Sequence, residues 1–242
     1  MRGGFFIVGT DTNVGKTIVA TGLLNLLRKN GYHAGYFKPV SSGGFRHQGK
    51  IVSYDARFVK TVAGLDDSDD LINPFRFLTP VSPHLAAVIE EKPIDLAVIK
   101  TNYAILKNKY DYLITEGCGG LAVPLTPNLN MQYELIKELG LNCLIVSRTV
   151  LGTINHTLLT VQAAASLKIP VGGIIFSGDT GSEMDQNNIK TIRDLSGIPV
   201  LGVLPYLHDI DTENLKAAGL GKTCEETLGL AGILKMLNAE KA

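Results

Sequence analysis

Six runs of apolar residues, each giving way to small or polar ones, constrain this 242-residue chain more than any other feature. They read "GFFIVG", "HAGYFKPV", "YDYLITEG", "LNCLIVS", "PVGGIIFSG" and "PVLGVLPY". Runs so continuously rich in Val, Ile and Leu predict strands buried on both faces. Between them lie segments with apolar residues at helical spacing. One is "GKTIVATGLLNLLRKNG", with Gly31 as its expected C-cap, and the others fall at about 55–63, 83–91, 94–108, 131–139, 155–167 and 184–195. Strands alternating with helices predict an α/β fold, a mostly parallel sheet with helices on both faces. No linker, repeat or low-complexity tract interrupts the pattern, so a single domain over 1–242 is expected. Its last segment, about 224–242 ("CEETLGLAGILKMLNAEKA"), reads as a C-terminal helix and polar tail.

In an open α/β sheet, ligands bind beyond the carboxyl ends of the strands. The sequences there are "TDTNVGKT", "KPVSSGG", "TEGCGG", "SRTVLGTINH" and "SGDTGS". The first, with Gly9 before it, sits between a strand and a helix start and ends in Gly-Lys-Thr. This is the setting of a phosphate-binding loop, where backbone N–H groups and the helix dipole receive an anion. Its spacing is unusual. Five residues separate Gly9 from Gly15, where the common pattern has four. Lys16 would reach the terminal phosphates, and the Thr17 hydroxyl would bind Mg²⁺. The fold is accordingly expected to be of the P-loop NTPase type.

Magnesium takes oxygen ligands, commonly one or two carboxylates beside the phosphates. Glu116, at the end of the third strand, and Asp55, at a helix start, are the candidates. Asp55 would equally serve as a helix N-cap, and Glu116 as a carboxylate held by the glycine turn after it. Lys38 precedes Pro39 at the ligand end of the second strand. It would either snorkel to solvent or supply a second cation beside Lys16 for a transferring phosphoryl group. Ser41, Ser42 and Gly43 follow with hydroxyls and backbone donors.

Bulk properties narrow the function classes. Lys plus Arg and Asp plus Glu both number 23, so no basic field draws the chain to nucleic acid or an anionic membrane. A hydrophobic content of 45% is that of a globular protein. The longest apolar runs, such as "LAGILKML", are too short to span a bilayer. Three scattered cysteines, Cys118, Cys143 and Cys224, form no metal-ligand spacing. With no basic leader at the N-terminus, a cytoplasmic protein is expected.

"GTDTNVGKT", "KPVSSG", "SPH" (Ser82–His84), "TEGCGG" and "LGTINHT" follow one another as they do in the dethiobiotin synthetases. The resemblance runs from about Phe5 to Pro205, and that family's loop carries the same five-residue spacing. It implies closure of a ureido ring on 7,8-diaminononanoate with CO₂ and MgATP. One amine captures CO₂ as a carbamate, the carbamate takes the γ-phosphoryl group as a carbamic–phosphoric anhydride, and the second amine displaces phosphate. By the resemblance, Lys16, Lys38 and Thr12 serve the chemistry. Asn13, Val14, Gly15, Lys16, Thr17, Ile18, Glu116, Ser177 and Pro205 contact the nucleotide, and Thr17, Asp55 and Glu116 hold Mg²⁺. Thr12, Lys38, Ser42 and Gly119 meet the diamine. In the homodimer the resemblance implies, Leu151, Gly152, Thr153, Ile154 and Asn155 receive the partner site's carboxylate at a helix start near Ile154. His156 and Cys118 are expected to pack rather than react.

Two positions depart from the family. Some members carry glutamate where this chain has the neutral Asn13. Several place Asn-Asp after the fifth strand to read adenine, where this chain has Ser177 and Gly178. A hydroxyl lacks the amide's paired donor and acceptor, so weaker discrimination among nucleoside triphosphates is expected. Three other readings compete. A partition or cell-division ATPase would carry a lysine where Asp11 stands. A corrinoid amidotransferase-like synthetase would need a glutaminase domain for which this chain is too short. A non-enzymatic binding module would lack Asp55 and Glu116.

Overall fold

The structure is a computed structural model and describes residues 3–238. Strand β1 (Gly3–Gly9) leads into α1 (Lys16–Lys29). The chain continues through β2 (Ala34–Phe37), the short β3 (Val40–Ser41), and a hairpin of β4 (Phe45–His47) and β5 (Lys50–Val52). Helices α2 (Tyr54–Ala63) and α3 (Asp69–Ile72), strand β6 (Phe75–Arg76), and helices α4 (Pro83–Ile89) and α5 (Leu96–Lys109) follow. Strands and helices then alternate as β7 (Tyr112–Gly120), α6 (Gln132–Leu139), β8 (Asn142–Arg148), α7 (Thr153–Ser166), β9 (Val171–Asp179), α8 (Glu183–Ser196) and β10 (Val200–Pro205). The pair β11 (Ile210–Asp211) and β12 (Lys216–Ala217) precedes α9 (Leu220–Thr227) and α10 (Leu230–Leu237).

The main sheet has six strands in the order β10-β9-β8-β1-β7-β2, and every neighbouring pair is parallel. Consecutive side chains of a strand point to opposite faces, and β1 shows the result. Phe5 and Ile7 join the core beneath α1, α2, α9 and α10. Phe6 and Val8 join the core beneath α5, α6 and α8. Strand order reverses at β1, which lies between β7 on one side and β8 on the other. The loop after β1 therefore opens into the crevice where such sheets bind ligands.

Three local differences from the sequence expectation have physical causes. The third strand does not end at Glu116 but runs on to Gly120, pairing Gly9 with Gly120 after a register shift. Helix α1 ends at Lys29 with Asn30 as its cap, and Gly31 turns the chain just beyond at φ 80°. The expected C-terminal helix is two. Between α9 and α10 the chain meets the sheet, where Leu228 bridges Gly202 and the Gly229 N–H donates to the Leu201 carbonyl. Residues 239–242 of the expected polar tail lie outside the described residues.

Candidate active site

The phosphate loop takes its shape from two residues in the left-handed region. Asn13 has φ 55°, a conformation that Asn tolerates better than most residues. Gly15, the residue before α1, has φ 97°. A Cβ on Gly15 would also lie 2.5 Å from Ser177 Oγ, so β9 closes against the loop there. Arg148, the last residue of β8, donates from Nε to the Asn13 carbonyl at 3.0 Å, and its Nη2 donates to the same oxygen. The lengthened loop is thus gripped from the neighbouring strand at Asn13, whose backbone conformation suits an asparagine.

Lys16 and Thr17 open α1 and are both buried. Lys16 Nζ donates to the Asp11 carbonyl at 3.2 Å, folding back over the loop. Burial lowers its pKa from the ordinary lysine value, and the neighbouring Lys38 charge adds to the effect. The Thr17 hydroxyl donates to Glu116 Oε1 at 2.8 Å.

Lys38 does not snorkel. It is 2% exposed, and its ammonium lies 2.7 Å from Glu116 Oε1 and 2.9 Å from Asp55 Oδ2. Burial opposes its charge, but the two carboxylates prevail and hold it protonated well above the ordinary lysine value. Asp55 is not the N-cap of α2. Ser53 fills that place, accepting from the Ala56 N–H, and Asp55 in the first turn faces Lys38. Burial works to raise the Asp55 pKa, but Lys38 and Thr17 hold it below its ordinary value. Glu116 is not a partner of the glycine turn after it. Its side chain is 1% exposed against 38% for Asp55, so Glu116 forms the floor of the site and Asp55 its wall.

The sequence reading missed Tyr36, whose hydroxyl donates to Glu116 Oε2 at 2.7 Å. Burial, and then the Glu116 charge, raise its pKa well above the ordinary tyrosine value. Tyr36 precedes Lys38 by two residues, which places both side chains on one side of an extended chain. That spacing was the available signal.

Lys16, Thr17, Lys38, Asp55 and Glu116 share a cavity of about 420 Å³, lined also by Thr12, Ser42, Gly119, Thr212 and Glu213. The last two come from the turn between β11 and β12 and had no sequence signal. Cys118 lines the cavity as well. Its Sγ donates to the Val40 carbonyl at 2.8 Å, and burial pushes its pKa up to about 11, which leaves a neutral thiol. A second cavity of about 450 Å³ adjoins the loop at Asn13, Val14, Gly15 and Ile18, and is walled by Ser177, Pro205 and Tyr206.

A third hollow of about 200 Å³ lies between the loop residues Thr10, Asp11 and Thr12 and the start of α7, at Leu151 and Thr153. His156 lines it and is exposed, so it is not the packing residue expected. Helix α7 begins at Thr153, with Gly152 before it at φ 91°, so Ile154 and Asn155 stand in its first turn. A buried hydroxyl cluster joins the two walls. Ser147 Oγ lies 2.8 Å from the hydroxyls of Thr153 and Thr157 and 3.3 Å from that of Thr10. The Thr153 hydroxyl donates to the Arg148 carbonyl at 2.6 Å, which makes Ser147 the donor to Thr153 and the acceptor from the other two. "SPH", in contrast, lines none of these cavities, and Pro83 opens α4.

Among the described residues, no group of three or more His, Cys, Asp or Glu could hold a metal ion. Two carboxylates and one hydroxyl instead converge beside a phosphate loop. That set suits a cation completing its shell with phosphate oxygens and water, as Mg²⁺ does.

Comparisons with known proteins accord with this architecture. A family model described as an AAA domain matches residues 3–214. An ATP-dependent dethiobiotin synthetase of Clostridium novyi is 41% identical over 213 residues, 86% of this chain and 90% of that protein. Its counterpart in Clostridium acetobutylicum is 38% identical over 240 residues, 96% of this chain and 98% of that protein. The chain belongs to the dethiobiotin synthetase family. The Bacillus subtilis synthetase, 38% identical over 214 residues, covers 88% of this chain and 91% of its own length.

Solved structures share the fold at much lower identity. The MinD cell division protein of Aquifex aeolicus aligns with a TM-score of 0.58 at 12% identity, over 93% of this chain and 95% of that one. A ParA family ATPase from Chlorobium tepidum TLS aligns at 0.53 and 15% identity, over 96% and 93%. This chain therefore shares the mostly parallel P-loop α/β fold of those proteins.

Proposed function

We propose that this protein closes the ureido ring of dethiobiotin from 7,8-diaminononanoate, CO₂ and ATP, as an ATP-dependent cyclo-ligase. The observation that carries the reading is the Lys38 ammonium, buried between Asp55 and Glu116 beside Lys16 and Thr17 at the phosphate loop. One substrate amine adds to CO₂ to give a carbamate and releases a proton. A carbamate oxygen attacks the γ-phosphorus and ADP leaves, giving a carbamic–phosphoric anhydride. The second amine attacks the carbonyl carbon, phosphate departs and the ring closes.

Phosphoryl transfer depends mainly on positioning and charge stabilisation. The α1 N-terminus and the N–H groups of Asn13 to Thr17 cradle the phosphates, and Lys16 meets the terminal oxygens. Thr17, Asp55 and Glu116 would hold Mg²⁺, which would offset the charge developing on the phosphate oxygens. Lys38 stabilises negative charge on the carbamate and the transferring group. Thr12, Ser42 and the Gly119 backbone line the cavity on the acceptor side. The second cavity, with Ile18, Ser177 and Pro205, takes the nucleoside.

The partner contribution belongs to the same proposal. Leu151 is 87% exposed beside the α7 N-terminus. In a homodimer, Leu151 to Asn155 would offer that helix end to the acceptor carboxylate of the neighbouring site. A cytoplasmic location completes the reading. Among the described residues, no helix is long and apolar enough to cross a membrane.

The deciding assay supplies the diamine, bicarbonate, Mg²⁺ and ATP, and follows phosphate and ureido-ring formation together. Equimolar appearance of both is expected. Phosphate release without ring formation would instead favour a nucleotide-switched ATPase, which the shared fold permits.

A further inference from the structure

Glu116 receives three hydrogen bonds, and they are unevenly divided. Oε1 accepts from Thr17 at 2.8 Å and from Lys38 at 2.7 Å. Among the described residues, Oε2 accepts from the Tyr36 hydroxyl alone, at 2.7 Å. Glu116 and Tyr36 are both fully buried, and the Tyr36 ring is packed in the core beneath α1 and α2. On the functional reading above, both donors to Oε1 have other tasks. The Thr17 hydroxyl offers a lone pair to the cation, and Lys38 turns to the transferring phosphoryl group. Tyr36 is then the one donor to Glu116 that has no other task. The last torsion of a glutamate is soft and broad, so a carboxyl group without that anchor would swing.

We propose that Tyr36 is the positioning residue of the cation site: by fixing Oε2 it aims Oε1 of Glu116 at the phosphate loop. It touches neither nucleotide nor acceptor and acts only through Glu116. Partners of this kind typically change metal affinity about 10- to 100-fold when lost. The proposal rests on the reading of Thr17, Asp55 and Glu116 as the Mg²⁺ site.

The test is calorimetric titration with a non-hydrolysable ATP analogue, in excess chelator and across a Mg²⁺ series. Wild type should gain affinity with Mg²⁺. Tyr36→Phe should bind the analogue in chelator within about twofold of wild type, yet require about 10- to 100-fold more Mg²⁺ for half the gain. Adding Tyr36→Phe to Glu116→Gln should cost nothing beyond Glu116→Gln itself. An unchanged Mg²⁺ requirement in Tyr36→Phe overturns the proposal. So does an equal loss with and without Mg²⁺, the mark of a purely structural role. A further loss in the double variant also overturns it, and that arm stands even where Tyr36→Phe alone folds poorly. If wild type gains nothing from Mg²⁺, the cation-site reading fails and this proposal fails with it.

Discussion

Replacing Lys38 with Met tests the charge balance of the site most directly. The side chain keeps nearly its volume, so the change removes a charge without opening a cavity. Lys38 is 2% exposed and Glu116 0%. Breaking a buried ion pair by removing one partner costs about 3–5 kcal/mol, because the other charge is left uncompensated. Two features pull the expectation to the lower end. Thr17 and Tyr36 still donate to Glu116, and Asp55, with 38% of its side chain exposed, can turn to water. A loss of about 3 kcal/mol is expected, which lowers the urea midpoint by about 1 M at a slope of about 3 kcal/mol/M. The Lys38→Met/Glu116→Gln double variant should recover most of it, since a neutral amide needs no counter-charge. The pH window follows from the two shifts. The Lys38 share of stability is complete below its ordinary pKa of 10.5 and is lost as pH rises beyond it, because folding raises that pKa. The Asp55 share is complete above its ordinary 3.8 and is lost as pH falls, because folding lowers that one. A loss under about 1 kcal/mol in Lys38→Met, or a double variant no better than the single, would refute the account.

Lys16→Ala should slow coupled phosphate release about 10²-fold or more, as expected for a lost charge-stabilising donor, and a normal rate would remove Lys16 from the mechanism. CTP and GTP should each support at least about one hundredth of the ATP rate at matched subsaturating levels, a gap under about 2.7 kcal/mol, because Ser177 lacks an amide. Ser177→Asn should widen that gap, and tighter selectivity in the parent would contradict the assignment of the second cavity. Leu151→Asp should shift sedimentation toward a monomer and lower turnover with it. A fully active monomer would refute the shared site.

The fold and half the site could be read directly because both are written locally. Apolar runs bounded by helical periodicity specify the strands, and Gly15-Lys16-Thr17 specify a phosphate site through backbone geometry. Lys38, Asp55 and Glu116 could be picked out as charges at strand or helix ends, although only the tertiary structure showed them bonded together. Tyr36 reads as an ordinary core aromatic: its spacing of two from Lys38 puts both on one side of the chain, but only the tertiary structure shows its hydroxyl ending on a carboxylate. Arg148 was hidden for a similar reason: its partner is the Asn13 carbonyl, a backbone atom distant in sequence. Thr212 and Glu213 reach the cavity through a short hairpin pair too small to show periodicity. The single C-terminal helix was misread because the break at Gly229 depends on the edge of β10, which no local pattern records.

Two carboxylates at the bottom of a pocket would ordinarily repel, and a fold so built would lean on a captured cation to stay closed. Here the chain brings its own cation on the stem of Lys38. A folded protein should therefore emerge from chelating buffer as soluble and as resistant to heat as from magnesium. On the proposed reading, the divalent ion is then a reagent that arrives with each nucleotide rather than a part of the architecture. Its demand would follow turnover, not the amount of protein made.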